Sequence, residues 1–294
     1  MLAEESTIEK VASVSRIKDI ATLMKLRLSA LVVLSAIATY FFGGGKVSVD
    51  LVYLIGGGFL ITGASNGFNQ VIERDLDKLM DRTSNRPLPQ GRMSVTEAMI
   101  FASIFAVSGA FLLFQLNWFA GVLGILAMVL YAGLYTPLKP ITPWAVFVGA
   151  IPGALPPMIG VVAVDGKYSL LAGIMFLIQF VWQFPHFWAI AWFKDDDYAK
   201  AGFSLLPLKS RKSKKTATLI MLYTALMVPV GILPWFFDWT SDITLFVGTG
   251  MGLWFFLIAY RFYLRMEDRL AKKLMFASFI YLPVIQFLYV FDKL

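Results

Sequence analysis

The chain has 294 residues, of which 58% are hydrophobic and 15% are charged, and its mean hydropathy is +0.71. Soluble domains are roughly 45–50% apolar and carry charges over their whole surface, so this composition indicates a membrane protein. The absence of cysteine excludes disulfide bonds and thiolate metal sites. The net charge of +7 does not indicate nucleic-acid binding, because the basic residues lie in short segments between apolar stretches.

The apolar stretches define the predicted fold. Residues 1–20 have no apolar core, so they are unlike a signal peptide and are predicted to form a cytoplasmic N-terminal segment. We predict a polytopic all-α protein with a single membrane-embedded domain covering 1–294. The turn between the third and fourth spans is marked only by Leu116 and Asn117. Nine stretches have about the 20 residues needed to cross a bilayer: 24–43, 51–74, 95–115, 117–136, 142–163, 169–193, 214–236, 241–263 and 272–291.

The distribution of Lys and Arg tests this division, because cytoplasmic loops carry most basic residues. With the N-terminus placed inside, the alternating inside segments contain all 26 basic residues except Lys46, Lys167 and Lys293. A wrong number of spans would scramble this distribution. The sequence therefore predicts nine transmembrane helices with two long cytoplasmic loops, at 74–94 and 194–215.

The first long loop begins with a stripe of acceptor side chains. Asn69, Glu73 and Asp77 are four residues apart and share one face of a helix, whereas Asp75 points elsewhere. Asp81 continues the stripe if the helix continues. Such oxygen ligands suit Mg²⁺, which often bridges to substrate phosphates. The alternative is an ordinary charged loop in solvent, but acids for metal beside cations for phosphate favour diphosphate binding. The cations follow at once: Arg82, Arg86 and Arg92.

The second long loop contains three consecutive acids, Asp195–Asp197. Adjacent residues diverge on a helix, so at most two of them face one ligand. If the helix runs unbroken past Pro185, His186 and Asp197 share a face, with His186 deeper in the membrane. A solvated helix end is the alternative for the acids. Two acidic clusters facing one vestibule, however, can hold two metal ions around one diphosphate.

Other charged residues in or near the spans allow two interpretations each. His186 is the only histidine, and it is either a hydrogen-bonded packing residue or a contact to a substrate or to haem iron. Lys25 and Arg27 are either positive-inside anchors or ligands of a diphosphate. Lys139 is the only charge in its turn.

These features fit prenyl transfer from an allylic diphosphate. Such a diphosphate ionises to a carbocation when metal ions and cationic side chains neutralise the leaving group. The prenyl tail needs an apolar slot, which a helix bundle in lipid provides, and the carbocation must be kept from bulk water. Charge spacing does not identify the acceptor.

Four segments of the chain resemble a known family. The segment NQVIERDLDKLMDRTSNRPL, which starts at Asn69, resembles the N-x-x-x-D-x-x-x-D-x-x-M-x-R-T-x-x-R-P-L motif of the protohaem IX farnesyltransferase (haem O synthase) family. This family lies within the UbiA-type intramembrane prenyltransferase superfamily. YTPLKPITP from Tyr135, GALPPMIG from Gly153 and HFWAIAWFKDDDYAKAG from His186 resemble further family segments.

The resemblance implies a nine-helix bundle in the bacterial inner membrane with its active site facing the cytoplasm. It implies farnesyl transfer from farnesyl diphosphate to a vinyl group of haem B, giving haem O and diphosphate, with Mg²⁺ as cofactor. Haem A synthase or oxidase assembly factors are the implied partners. The motif match assigns catalytic roles to Asn69, Glu73, Asp77, Asp196 and Asp197, and haem contact to His186. Of these, Asn69, Glu73, Asp77 and Asp197 are also assigned as metal ligands. The diphosphate contacts are then Lys25, Arg27, Arg82, Arg86, Lys139 and Lys194.

Two other functions are weighed against this one. A quinone-type or chlorophyll-type aromatic prenyltransferase would use the same diphosphate site with another acceptor, but His186 and the R-T-x-x-R-P-L match argue against it. A haem transporter or haem chaperone would be no enzyme. Transporters often show inverted repeats and charges at the midplane, whereas the sequence shows no clear repeat and its acids lie near the membrane face.

Overall fold

The computed structural model describes residues 16–208 and 211–294; part of the predicted segment 1–20, and Lys209, lie outside them. In these ranges the regular structure is helical, apart from one isolated bridge between Thr240 and Lys293. The helices are α1 (Arg16–Leu23), α2 (Leu26–Phe42), α3 (Val49–Ile72), α4 (Arg74–Asp77), α5 (Val95–Leu116), α6 (Trp118–Val129), a π-helical turn (Leu130–Tyr135), α7 (Thr136–Leu138), α8 (Ala145–Asp165), α9 (Leu170–Phe193), α10 (Asp195–Lys200), α11 (Lys214–Ala225), α12 (Met227–Val230), α13 (Leu233–Phe236), α14 (Asp242–Arg265) and α15 (Asp268–Phe291).

The all-α polytopic prediction is confirmed. Eight helices in the described ranges are long and apolar enough to cross a membrane, or nine if α1 and α2, which meet at 47°, form one span. The predicted turn after α5 is also confirmed: α5 ends at Leu116, and Asn117 Oδ1 accepts the Ala120 amide (2.9 Å), which caps α6. The span 214–236 is interrupted, because it consists of α11, α12 and α13.

Helix α8 lies at the centre of the bundle. Within its most apolar window 72% of the residues are buried, compared with 22% for α5, which faces outward. Helices α2 and α9 pack on α8, and α15 packs on both α2 and α9. Four helices thus surround a common interior, while α3 and α5 pack together at one side.

Gly160 permits the close contact between α8 and α2. A Cβ atom at this position would overlap Ala36 O and Thr39 Oγ1 and would lie 2.9 Å from Tyr40 N. Two of these three are backbone atoms of a packed helix, which cannot move aside cheaply. Membrane helices commonly place small residues where they pack closely, because no hydrophobic driving force holds them together in lipid. Gly160 is such a residue.

We expect Gly160→Ala to destabilise the protein by about 1–3 kcal/mol, because it overpacks this contact. Gly250→Ala on α14 is the matched control, since no atom lies within 4 Å of its added Cβ. The control should be neutral or stabilise by up to about 1 kcal/mol through helix propensity. Unfolding in mixed detergent, followed by circular dichroism, measures both. Equal stability of the two variants would contradict the packing role of Gly160.

Candidate active site

The predicted stripe of Asn69, Glu73 and Asp77 is retained, although the helix breaks within it. Helix α3 ends before Glu73, which has φ −91° and ψ 6°, and α4 begins at Arg74. Backbone hydrogen bonds from Glu73 N to Asn69 O (2.9 Å) and from Asp77 N to Glu73 O (2.7 Å) keep the four-residue spacing. All three side chains are buried, whereas Asp75 is 68% exposed, as predicted.

The stripe does not continue to Asp81, because the helix on which that expectation depended does not continue. Helix α4 ends at Asp77, and the chain then turns, so the Asp81 side chain is 84% exposed. Asp81 instead forms an ion pair with Lys200 Nζ (2.7 Å) in α10. The sequence contains no proline or glycine at this turn that would have marked the end of the helix.

Each buried acceptor of the stripe faces a basic side chain. Because charges buried from water are costly without partners, these contacts fix both members of each pair in place. Together the six residues form what we call the mouth cluster. Its contacts are Glu73 Oε1 to Lys139 Nζ (2.7 Å), Asp77 Oδ2 to Arg86 Nη1 (2.6 Å) and Asn69 Oδ1 to Lys25 Nζ (3.3 Å).

Two carboxylate oxygens in the mouth cluster have unused capacity. Asp77 Oδ1 is buried and has no hydrogen-bond partner among the described residues. Glu73 Oε1 is close to Lys139 Nζ but is not aligned for a hydrogen bond, so their contact is an ion pair without one. Buried oxygens of this kind fit a hard divalent cation such as Mg²⁺, with Asn69 Oδ1 as a third ligand. In the described ranges, no three Asp, Glu or His side chains form a metal-binding group by themselves.

Lys25 reaches the mouth cluster because the chain breaks between α1 and α2. Lys25 has φ 49°, in the left-handed region that is unfavourable for a residue with a Cβ. Two side chains of α3 bind the carbonyls freed by this break. Gln70 Nε2 donates to Leu23 O (2.7 Å), and Asn66 Nδ2 donates to Met24 O (3.2 Å). Sequence reasoning missed both, although their signal was visible: polar residues one turn apart in an apolar helix.

We expect Gln70→Met to destabilise the protein by roughly 1–3 kcal/mol, because it leaves the Leu23 carbonyl at the break without a donor. Methionine has a similar length and suits an apolar interior. The matched control is Gln115→Met, since Gln115 is exposed and contacts only Phe111 O at 3.5 Å. Detergent unfolding measures both variants. A Gln70→Met protein as stable as the control would show that the break needs no side-chain support.

The two long loops contact each other, as predicted from their placement on one side. Asp197 Oδ1 accepts the Asp81 amide (2.8 Å), Oδ2 accepts the Arg82 amide (3.4 Å), and Arg82 lies over the Tyr198 ring (5.2 Å). Burial alone would raise the pKa of Asp197, but the two amide hydrogen bonds and the charge of Lys200 outweigh it and lower this pKa. Both carboxylate oxygens of Asp197 are thus engaged, and its assignment as a metal ligand stays a prediction.

Several other predicted site residues lie away from the mouth cluster. Asp196 is 93% exposed, and its nearest cation is Arg211, 3.8 Å away. The buried member of the acidic triplet is Asp195, which pairs with the same arginine at 2.9 Å. Arg27 is exposed. Lys194 Nζ lies 5.9 Å from the Phe193 ring centroid. The structure brings none of Asp196, Arg27 and Lys194 into contact with the mouth cluster.

An apolar cavity of about 260 Å³ opens between α2, α3, α8, α9 and α15, and we call it the central cavity. Asn66 and Tyr135 line its end nearest the mouth cluster, where Lys139 Nζ lies 4.6 Å from the Tyr135 ring centroid. No Asp, Glu, Lys or Arg belongs to the lining. The arrangement therefore joins a charged mouth to an apolar interior that can hold a hydrocarbon chain.

His186 lines the central cavity and has a defined tautomer. Its Nδ1 lies 2.7 Å from Ser278 Oγ, and the Ser278 hydroxyl donates its only proton to Met275 O (2.6 Å). Nδ1 must therefore be the donor, which leaves the lone pair on Nε2. The ring also stacks on Trp182 at 4.6 Å, so His186 does pack. The condition for its alignment with Asp197, an unbroken helix, is not met, because α9 ends at Phe193 and α10 begins at Asp195.

The fold and the charged mouth define an α-helical intramembrane protein with a site suited to a diphosphate. Residues 31–282 match the UbiA prenyltransferase family, and the chain belongs to this family. It is 44% identical to the protohaem IX farnesyltransferase of Cytophaga hutchinsonii over 92% of this chain and 96% of that protein. The corresponding protein of Christiangramia forsetii is 45% identical, over 96% and 95%.

A solved structure supports the fold independently of close sequence similarity. A UbiA homologue from Archaeoglobus fulgidus, bound to GPP and Mg²⁺, superimposes with a TM-score of 0.67 at 16% identity. The match covers 92% of this chain and 99% of that one. The chain is thus a prenyltransferase by family, and the predicted all-α membrane bundle is confirmed.

Proposed function

We propose that this protein transfers the farnesyl group of farnesyl diphosphate to a vinyl group of haem B, giving haem O. Water adds in the same overall reaction, and diphosphate is released. The observation that carries the proposal is the junction of the mouth cluster with an apolar cavity that contains His186. The names of the relatives from Cytophaga hutchinsonii and Christiangramia forsetii support haem as the acceptor.

The mouth cluster would bind the diphosphate and assist its departure. Asn69, Glu73 and Asp77 would hold Mg²⁺, which supplies positive charge to the leaving oxygens when bound. Lys139 and Arg86 are held by their carboxylate partners, so they are oriented before substrate binds. Lys25 and Arg82 add further cationic donors at the rim.

The central cavity would accept the prenyl chain and protect the carbocation from bulk water. Tyr131 and Tyr135 line it beside the mouth cluster, with ring centroids 5.3 Å apart. Aromatic faces stabilise a nearby cation, so these rings would stabilise the carbocation more than the intact diphosphate substrate. Asp197 and Lys200 join the two long loops, and their contacts with Asp81 and Arg82 would position Arg82 at the mouth cluster.

His186 would contact the iron of haem B through Nε2, because its Nδ1 is engaged by Ser278 and His186 lines the cavity. Stacking against Trp182 fixes the ring plane. The sequence allowed two roles for His186, packing and haem contact. The residue could therefore have both.

The membrane orientation is part of the proposal. The basic residues of the loops at 74–94 and 194–215 favour a cytoplasmic mouth cluster in the inner membrane of a bacterium. The contacts between the loops support a common side for both. Haem A synthase or an oxidase assembly factor, as a receiver of the product, stays a prediction.

Membranes containing this chain, incubated with haem B, farnesyl diphosphate and Mg²⁺, should yield haem O, identified by mass. Membranes lacking the chain are the control. A phenolic quinone precursor offered in place of haem B tests the second candidate, aromatic prenyl transfer. Prenylation of the phenol without haem O formation would replace the proposed acceptor, and no product from either would contradict prenyl transfer altogether.

A further inference from the structure

A second polar cluster lies in the central cavity, deeper than His186. Gln286 Nε2 donates to Ser35 Oγ (2.7 Å) and to Gln179 Oε1 (3.3 Å), and Ser35 Oγ also lies within donating distance of Gln179 Oε1 (3.4 Å). The three side chains come from α15, α2 and α9, and all are buried. We call them the glutamine cluster. The proposed diphosphate chemistry does not use it.

The hydrogen bonds within the glutamine cluster leave one donor group and one acceptor group open. Gln179 Nε2 and Gln286 Oε1 have no partner among the described residues, although both side chains line the cavity. Polar groups without partners are especially unfavourable inside a bilayer. The cluster is therefore complementary to a ligand group that accepts one hydrogen bond and donates another.

The surroundings restrict the charge of that group. The cavity lining contains no Lys or Arg that could pair with an anion. A carboxylate would be unpaired there, so a carboxyl group would be bound in its neutral, protonated form. The carbonyl of a carboxylic acid would accept from Gln179 Nε2, and its hydroxyl would donate to Gln286 Oε1.

The position of the cluster relative to His186 suggests which carboxyl group this is. Gln179 lies seven residues before His186 in α9, about 10 Å along the helix axis. That separation is similar to the distance from the iron of a haem to its propionate carboxyls. On the basis of the proposed function, in which His186 contacts the iron, we propose that the glutamine cluster binds a protonated propionate of haem B. The opposite, vinyl-bearing edge then points towards the mouth cluster.

The test compares haem B with its dimethyl ester, which lacks the acid proton, in the full-length enzyme and in Gln286→Met and Gln179→Met. At neutral pH the carboxylate would first have to take up a proton, which costs more than one hydrogen bond returns, so binding is compared at about pH 4.5, near the pKa of an exposed carboxyl group. There we expect wild type to bind haem B about tenfold more tightly than the ester, the effect of one ordinary hydrogen bond. Each variant should lose most of this preference, while the KM for farnesyl diphosphate changes by less than about twofold. Gln115→Met, on an exposed face of α5, is the control.

Haem affinity is measured both as KM and by absorbance titration without farnesyl diphosphate. The titration tests the glutamine cluster even if no haem O forms, a result that would contradict only the proposed function. Equal binding of acid and ester by wild type would overturn the inference, as would variants that keep the preference. A lower kcat with unchanged haem affinity would also overturn it, because the cluster would then serve the added water.

Discussion

Asp77→Asn is expected to lower kcat/KM for farnesyl diphosphate by about 10²- to 10³-fold, the loss typical of removing one preorganised electrostatic group. Asparagine keeps the shape of the side chain but carries no charge for Mg²⁺, and it leaves Arg86 without its anionic partner. We expect the Mg²⁺ concentration needed for half-maximal rate to rise as well. Haem O formation at varied Mg²⁺ measures both effects.

Asp75→Asn is the matched control for this prediction. Asp75 lies in the same short helix, is 68% exposed and pairs only with Arg74 and Lys78 at the surface. Such surface pairs contribute little, so the control should stay within about twofold of wild type. Unchanged Mg²⁺ dependence in Asp77→Asn, even with reduced activity, would assign Asp77 to holding Arg86 and not to the metal.

The sequence predicts the bundle and the acidic stripe because both depend on short-range periodicity. Apolar stretches of bilayer length define the spans, and Asn117 marks its turn by a side-chain cap. The four-residue spacing of Asn69, Glu73 and Asp77 keeps them together even across the helix break, since the i to i−4 hydrogen bonds persist there.

The breaks themselves could not be predicted, and because of them the conditions for two expectations are not met. Glu73 and Lys194 have φ −91° and −109° with ψ near zero, conformations that neither residue type signals. Helix α4 ends at Asp77, which places Asp81 in solvent, and α9 ends at Phe193, so the unbroken helix on which the alignment of His186 with Asp197 depended is not present.

The partners of each site residue also require the tertiary structure. Lys139 pairs with a residue 66 positions away in the chain, and nothing in the sequence selects Glu73 over other acids for this contact. The glutamine cluster did leave a signal in α9, where Gln179, Gln183 and His186 repeat at helical spacing on an otherwise apolar face. Polar residues on one face of a membrane helix indicate a functional interior.

His186→Phe is expected to raise the KM for haem B by more than about tenfold, because even loss of a residue that orients a metal ligand costs about 10- to 100-fold in affinity. Phenylalanine keeps the contact with Trp182 but offers no lone pair. The KM for farnesyl diphosphate should change by less than about twofold, since the mouth cluster is untouched. The absorption spectrum of bound haem should shift between wild type and this variant if Nε2 ligates the iron.

Ser278→Ala tests whether His186 acts through the lone pair on Nε2 or only through its packing. It removes the acceptor that holds the proton on Nδ1, so the proton is free to move to Nε2 and compete with iron. We expect haem affinity to fall by about tenfold, with a spectral shift in the direction of His186→Phe. Thr224→Val is the control, because Thr224 is likewise a buried hydroxyl bonded to a helix carbonyl, Ile220 O (2.7 Å), but lies outside the cavity lining. If Ser278→Ala behaves like this control while His186→Phe loses haem, then His186 acts through its shape and stacking, and the iron is held by another group.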